Sequence, residues 1–259
     1  MSTLILAETS LIDYIKNLFE SLKDIIKEAN FIFTKDGLEI KRCNSDKQIF
    51  VSLELNKFEK YEYKMKEDKK EIGINLVEFN KIIKTLSHDD KITFKIESID
   101  EQKLVIIITN TLNCRVSKHV IDSITTNIAK ITPKNIEKEA VLSMPSSDFQ
   151  KVCRDVSNLS DKINIMCIEK KINFSCDSST GKHKFIYGET DTGRKFLKHC
   201  KKIIQNKYKL RYLSKIIKCS NLSKQVKLSM IDGYPMEIEY QVNKLGTIKF
   251  WINPDFSKK

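Results

Sequence analysis

The sequence predicts an α+β fold built twice, as two similar domains that each pack two amphipathic helices on antiparallel strands. Two observations carry this reading: helical and strand periodicities run in the same order in both halves, and short segments recur at one offset. A third supports it, since seven Gly and four Pro in 259 residues are too few for long linkers. That length suits two domains of ordinary size, and 41% hydrophobic with 31% charged residues is the composition of a cored, folded chain.

Over residues 11–26, apolar side chains fall at 11, 12, 15, 18, 19, 22, 25 and 26, one face of a helix. Val51, Leu53 and Leu55 alternate with polar neighbours and predict a half-buried strand. A second helix is expected over 76–86, with apolar residues at 76, 79, 82, 83 and 86, and strands follow at 92–96 and 104–109. Past residue 140 the order returns. Pro145 with Ser146 or Ser147 predicts a helix start, with Phe149, Val152, Cys153, Val156 and Leu159 on its face. Strands are expected at 163–167 and 172–176, a fourth helix around Leu210, Leu213, Ile216 and Ile217, and strands at 226–230, 236–242 and 248–252.

Lys81-Ile82-Ile83-Lys84 returns as Lys215-Ile216-Ile217-Lys218, 134 positions later, and Lys23-Asp24 as Arg154-Asp155, 131 positions later. An internal duplication explains both. The expected division is a first domain over 1–120, a connector over 121–139 anchored by Ile124, Ile128 and Ile131, and a second domain over 140–259.

Forty-six Lys and Arg against 34 Asp and Glu give +12, which favours polyanionic partners. Only five of the cations are Arg, the residue of bidentate base reading, so the charge suits phosphates better than base edges. Each predicted helix opposes its apolar face with cations: Lys16, Lys23 and Lys27 on the first, Lys81 and Lys84 on the second, Lys151 and Arg154 on the third, Arg211, Lys215 and Lys218 on the fourth. Such stripes bind duplex DNA through its backbone, without sequence preference.

Seven cysteines without pairing logic, and four histidines that do not cluster with them, predict a reducing compartment and neither structural zinc nor a cofactor. The apolar residues 1–7 are too short for a signal peptide, and the longest apolar run, 104–108, is a strand; an intracellular chain outside the membrane is expected. Thr180-Gly181-Lys182 ends like a P-loop, but Cys176 stands where its upstream Gly is required. Asp89-Asp90 could bind a nuclease metal, yet between helix and strand a turn role is expected. Cys153, Cys167 and Cys176 fall at core positions and read as packing residues. No catalytic residue is assigned, and an enzyme is not expected.

Met144-Pro145-Ser146-Ser147-Asp148-Phe149-Gln150-Lys151-Val152-Cys153-Arg154-Asp155-Val156-Ser157 closely resembles the segment opening the second domain of the proliferating-cell-nuclear-antigen family of DNA sliding clamps. Ser21-Leu22-Lys23-Asp24, Leu210-Arg211-Tyr212-Leu213, Val226-Lys227-Leu228-Ser229-Met230 and the Trp251 strand resemble further family segments, so the match spans the chain. The resemblance implies a DNA-clamp fold and a head-to-tail homotrimeric ring around duplex DNA. It implies a processivity factor for a DNA polymerase, a clamp loader as partner, and a location at replication sites, in the nucleus or a viral replication factory. Family DNA-facing positions fall on Lys16, Lys23, Lys81, Lys84, Arg154 and Lys218. The family's pocket for peptides carrying a Gln, an aliphatic residue and paired aromatics falls on Cys43, Val51, Ile131, Pro235, Trp251, Asn253 and Pro254. Its subunit contacts fall near 113–119 and 172–178. The chain departs from familiar clamps in being basic overall and in a Lys-rich loop over 193–202 where they are acidic. The alternatives are a monomeric or dimeric clamp-fold factor held on DNA by direct charge attraction, and a DNA-acting nuclease.

Overall fold

The computed structural model describes residues 3–98, 102–126, 133, 136–191 and 193–256. The chain divides into two compact units. The first comprises residues 1–42, 51–131 and 242–248, and the second 43–50, 132–241 and 249–259.

In the first unit, β1 (Ile5–Thr9) leads into α1 (Ile12–Lys23), then β2 (Glu28–Thr34), β3 (Gly37–Cys43), β4 (Ile49–Leu55), β5 (Lys60–Tyr63) and β6 (Lys69–Asn75). After these come α2 (Leu76–Lys84), β7 (Lys91–Ile96), β8 (Lys103–Asn110) and β9 (Arg115–Asp122). One antiparallel sheet has the order β5-β1-β7-β8-β9, and β4-β3-β2-β6 are neighbours in another. The core forms where the apolar helix faces meet β2 and β7. Phe79 packs edge-on against Phe19 at 4.7 Å and Phe31 at 5.2 Å, and faces Phe94 at 6.1 Å. The first helix is shorter than the periodicity predicts: the Ile25 and Ile26 amides both bond to the Leu22 carbonyl in a closing turn, so Lys27 lies beyond the helix. Asn75 caps α2, its Oδ1 accepting from the Val77 and Glu78 amides.

The second unit repeats this plan. It holds β10 (Ala140–Pro145), α3 (Ser146–Ser157), β11 (Lys162–Glu169), β12 (Lys171–Ser178), β13 (Gly181–Gly188), β14 (Lys195–Lys198) and β15 (Cys200–Lys209). Then come α4 (Leu210–Ile216), continued by a 3-10 turn over Ile217–Asn221, β16 (Gln225–Met230), β17 (Met236–Val242) and β18 (Gly246–Ile252). One sheet runs β13-β12-β11-β15, and β14-β10-β16-β17-β18 follow one another in the other. Phe149 of α3 packs on Phe174, which meets Tyr187 edge-on. The expected serine cap of α3 is not formed: Pro145 holds the cap position, Ser146 donates its amide to the Lys224 carbonyl, and its hydroxyl is buried without a partner. Residues 195–198 and 200–209 are strands rather than the Lys-rich loop expected there.

The segment after β9 is tied firmly into the first unit. The Ile124 amide donates to the Gly73 carbonyl of β6 at 2.9 Å, and the Ser123 hydroxyl accepts from the Gly73 amide. A Cβ on Gly73 would stand 2.0 Å from the Ile124 oxygen, so only glycine allows this approach. Ile124 is thus anchored through its backbone; Ile128 and Ile131 lie outside the described residues.

Candidate nucleic-acid interface

Burial of one helix stripe fixes what the opposite stripe shows. In the first unit α1 and α2 pack together over the phenylalanine cluster, and their cations emerge on the uncovered side. Lys81 and Lys84 are exposed in the last turn of α2, where a positive charge also complements the helix dipole. Lys81 pairs with Glu78 at 2.7 Å and Lys84 with Glu20 at 3.8 Å, both between exposed side chains and therefore weak and exchangeable. Lys16 is half-buried, and its ammonium donates to the Leu86 carbonyl at 2.7 Å, tying α1 to the turn after α2. Lys23 is half-buried at the end of α1.

In the second unit Lys151 and Arg154 are exposed on α3. Arg211 is exposed and Lys215 half-buried on α4, while Lys218 is exposed in the 3-10 turn rather than in the helix proper. The Arg211 guanidinium lies over the Tyr212 ring at 4.6 Å and reaches Asp46 at 4.0 Å, which holds it to its own unit. Among the described residues, Lys23, Lys151, Arg154 and Lys215 have no acidic partner within 4.0 Å.

Burial pushes the Cys153, Cys167 and Cys176 thiols up, away from the nucleophilic thiolate. Asp90 takes the turn role: its carboxylate accepts from the Ser87 amide at 2.8 Å, the Asn110 amide group at 2.7 Å and Arg115 at 2.6 Å. Burial alone would raise that carboxyl; the Ser87 N–H, Asn110 and Arg115 outweigh it and hold Asp90 below its ordinary value. Ser179-Thr180 forms the β12–β13 turn and Gly181 opens β13 at φ +131°, so this is not a phosphate loop before a helix. Among the described residues no group of three or more His, Cys, Asp or Glu could hold a metal. None of their helices is long and apolar enough to cross a membrane.

The peptide-pocket residues fall into two kinds. Cys43, Pro235, Trp251 and Asn253 are half-buried and present surface. Trp251 leans on Phe50 at 5.5 Å, and Asn253 is fixed by its amide to the Gln48 carbonyl and its side chain to the Lys47 carbonyl, each at 3.0 Å. Val51 is fully buried, in a strand covered on both faces, and Pro254 is buried too, so neither offers surface to a peptide. Ile131 lies outside the described residues.

Two strand edges are only partly legible in the sequence. β9 pairs with β8 alone and β13 with β12 alone among the described residues, and each runs eight residues with exposed aliphatics: Val116 and Val120 on β9, Ile186 on β13. The expected contact over 113–119 lies largely on β9. The one over 172–178 is corrected, because β12 is interior to its sheet and β13 is the edge.

Duplicated helix pairs on antiparallel sheets, with cations on each free helix face, define a DNA-clamp fold. The family model for the N-terminal domain of proliferating cell nuclear antigen matches residues 4–130, and that for its C-terminal domain matches 131–255. The chain is 28% identical over 247 residues to the "Probable DNA polymerase sliding clamp 1" of Paramecium bursaria Chlorella virus 1, covering 94% of each chain. It is 26% identical over 247 residues to the proliferating cell nuclear antigen of Dictyostelium discoideum, covering 93% of this chain and 95% of that one. The chain belongs to the proliferating cell nuclear antigen family.

Proposed function

We propose that this chain is a DNA polymerase processivity factor that closes around duplex DNA as a head-to-tail homotrimer and does no chemistry of its own. The observation that carries this reading is the cation-bearing free face of every described helix, where Lys outnumbers Arg. A clamp must hold the duplex yet slide, and point charges directed at phosphates do both, since every step along the backbone offers the same contact. Ring closure joins β9 of one copy to β13 of the next, covering Val116, Val120 and Ile186. The connector over 121–139 links the two domains. Polymerase and other clamp-binding proteins dock through peptides at the surface of Cys43, Pro235, Trp251 and Asn253, and a loader opens the ring on closed DNA. The protein works at replication sites, in the nucleus or a viral factory.

The experiment is loader-free. Protein threaded onto linear duplex, whose ends are then blocked, should survive a high-salt wash, while the same duplex with open ends should lose it. Equal loss from both would favour the second reading, a monomer or dimer held by direct attraction, to which the net +12 lends weight.

A further inference from the structure

Residues 192–231 hold twelve Lys and Arg and no Asp or Glu, which leaves 34 of each sign elsewhere, so the whole excess of +12 resides in this run. Arg211, Lys215 and Lys218 spend part of it on the helix face. A second group stands at the far end of β15. There Lys195, Lys198, His199, Lys201 and Lys202 are exposed, and pairing of Glu169 with Cys200 brings the exposed Lys170 and Lys171 alongside. With a strand rise of about 3.3 Å per residue, Lys202 stands roughly 25 Å from the start of α4, too far to share its phosphate contacts.

Acids answer only part of this charge. Lys198 pairs with Glu137 at 2.7 Å and Lys170 with Glu189 at 3.1 Å, and Glu169 is exposed at the end of β11. Among the described residues, Lys171, Lys195, Lys201 and Lys202 have no acidic partner within 4.0 Å. Within the same strip two large aliphatics are open to solvent, Leu197 at 57% and Ile203 at 56%. They lie on neither β9 nor β13, so subunit pairing does not cover them. A phosphate backbone would satisfy the lysines and leave these aliphatics wet; a chain carrying carboxylates and apolar side chains satisfies both.

We propose that the β14–β15 strip is a docking surface for an acidic, apolar-bearing peptide segment of a partner protein. Its carboxylates meet Lys171, Lys195, Lys201 and Lys202, and its Leu or Phe side chains cover Leu197 and Ile203. The surface lies apart from the α4 face, and it stands whether or not the ring closes.

Fluorescence anisotropy on the full chain at about 150 mM salt tests this. The probes are a short peptide of Asp, Glu, Leu and Phe, the same peptide with Ser for Leu and Phe, a short duplex DNA, and phosphatidylserine vesicles. Together the substitutions Lys171→Ser, Lys195→Ser, Lys201→Ser and Lys202→Ser should weaken the acidic-apolar peptide by about tenfold or more. Leu197→Ser with Ile203→Ser, or the Ser-containing peptide, should weaken binding about threefold to tenfold, with duplex affinity unchanged by the aliphatic pair. Circular dichroism should show both variants folded, since every altered side chain is exposed. Unchanged peptide binding by the lysine variant overturns the proposal. So does a larger loss of duplex than of peptide, which would make this a nucleic-acid surface, or a loss confined to vesicles, which would make it a lipid one. Failure of the helix-face reading would appear separately, in variants of Lys81, Lys84, Lys215 and Lys218 that leave peptide binding intact.

Discussion

Lys81 and Lys84 in α2, and Lys215 and Lys218 on α4 and its 3-10 turn, are the repeated tetrapeptide's cations, and each occupies a helix end rather than a core position. Replacing all four with Ala should lower duplex affinity and reduce the slope of log K against log salt by about three to four, near 0.9 for each phosphate no longer neutralised. The melting temperature should stay within a few degrees, because surface pairs such as Lys81–Glu78 add little stability. Titration at several salt concentrations measures this. Asp90 behaves oppositely. Its folded carboxyl is held below the unfolded value, so its contribution is complete above about pH 4 and is lost as pH falls through the depressed folded value. Asp90→Ala should cost about 1–3 kcal/mol in denaturant unfolding near pH 7, and the difference from the parent chain should shrink below pH 4. The turn role of Asp90 was legible from its place between helix and strand. Its partners Asn110 and Arg115 were not, because they come from across a hairpin that sequence order alone does not fold back.

Gly73 anchors the segment after β9, and Asp255 anchors the segment after β18. Gly73→Ala places a methyl against the Ile124 carbonyl, so it should destabilise the first unit by about 1–3 kcal/mol and speed proteolysis within 121–139. Limited digestion with mass mapping reports it. Asp255 is nearly buried between Lys162 at 2.8 Å and Lys209 at 3.5 Å, and its amide donates to the Lys207 carbonyl at 2.7 Å. Asp255→Ala should free the segment after β18 and weaken a Gln- and aromatic-bearing peptide by about tenfold without affecting duplex binding. The helices were legible because each buries one stripe, and so were strands with one wet face, such as β16 and β17. Edge strands were not: burial alternates along β9 and β13, but the exposed side carries Val116, Val120 and Ile186, so polarity does not follow it. β14 and β15 were hidden by lysines, whose charge reads as loop although Phe196, Ile204, Asn206 and Tyr208 turn inward. The sharpest departure was the α3 cap, where Pro145 and a neighbouring backbone carbonyl replaced the serine side chain.

At the scale of the molecule, the two proposed subunit edges are both cationic: Arg115 and Lys118 on β9, Lys182 and Lys184 on β13. Arg115 and Lys118 stay about half exposed although they pair with Asp90 and Glu97, so their charge still meets the β13 lysines when the edges come together. Salt screens that repulsion, so assembly should strengthen with ionic strength up to about 0.5 M while duplex affinity falls, opposite trends in one protein. The measurement that tests the clamp most directly is therefore molar mass by light scattering, without DNA, at near-physiological and at raised salt. A species three times the 30.1 kDa chain, more populated at the higher salt, is the result expected of a head-to-tail ring. A monomer at every salt and protein concentration would contradict the ring and leave direct charge attraction as what holds this chain on DNA.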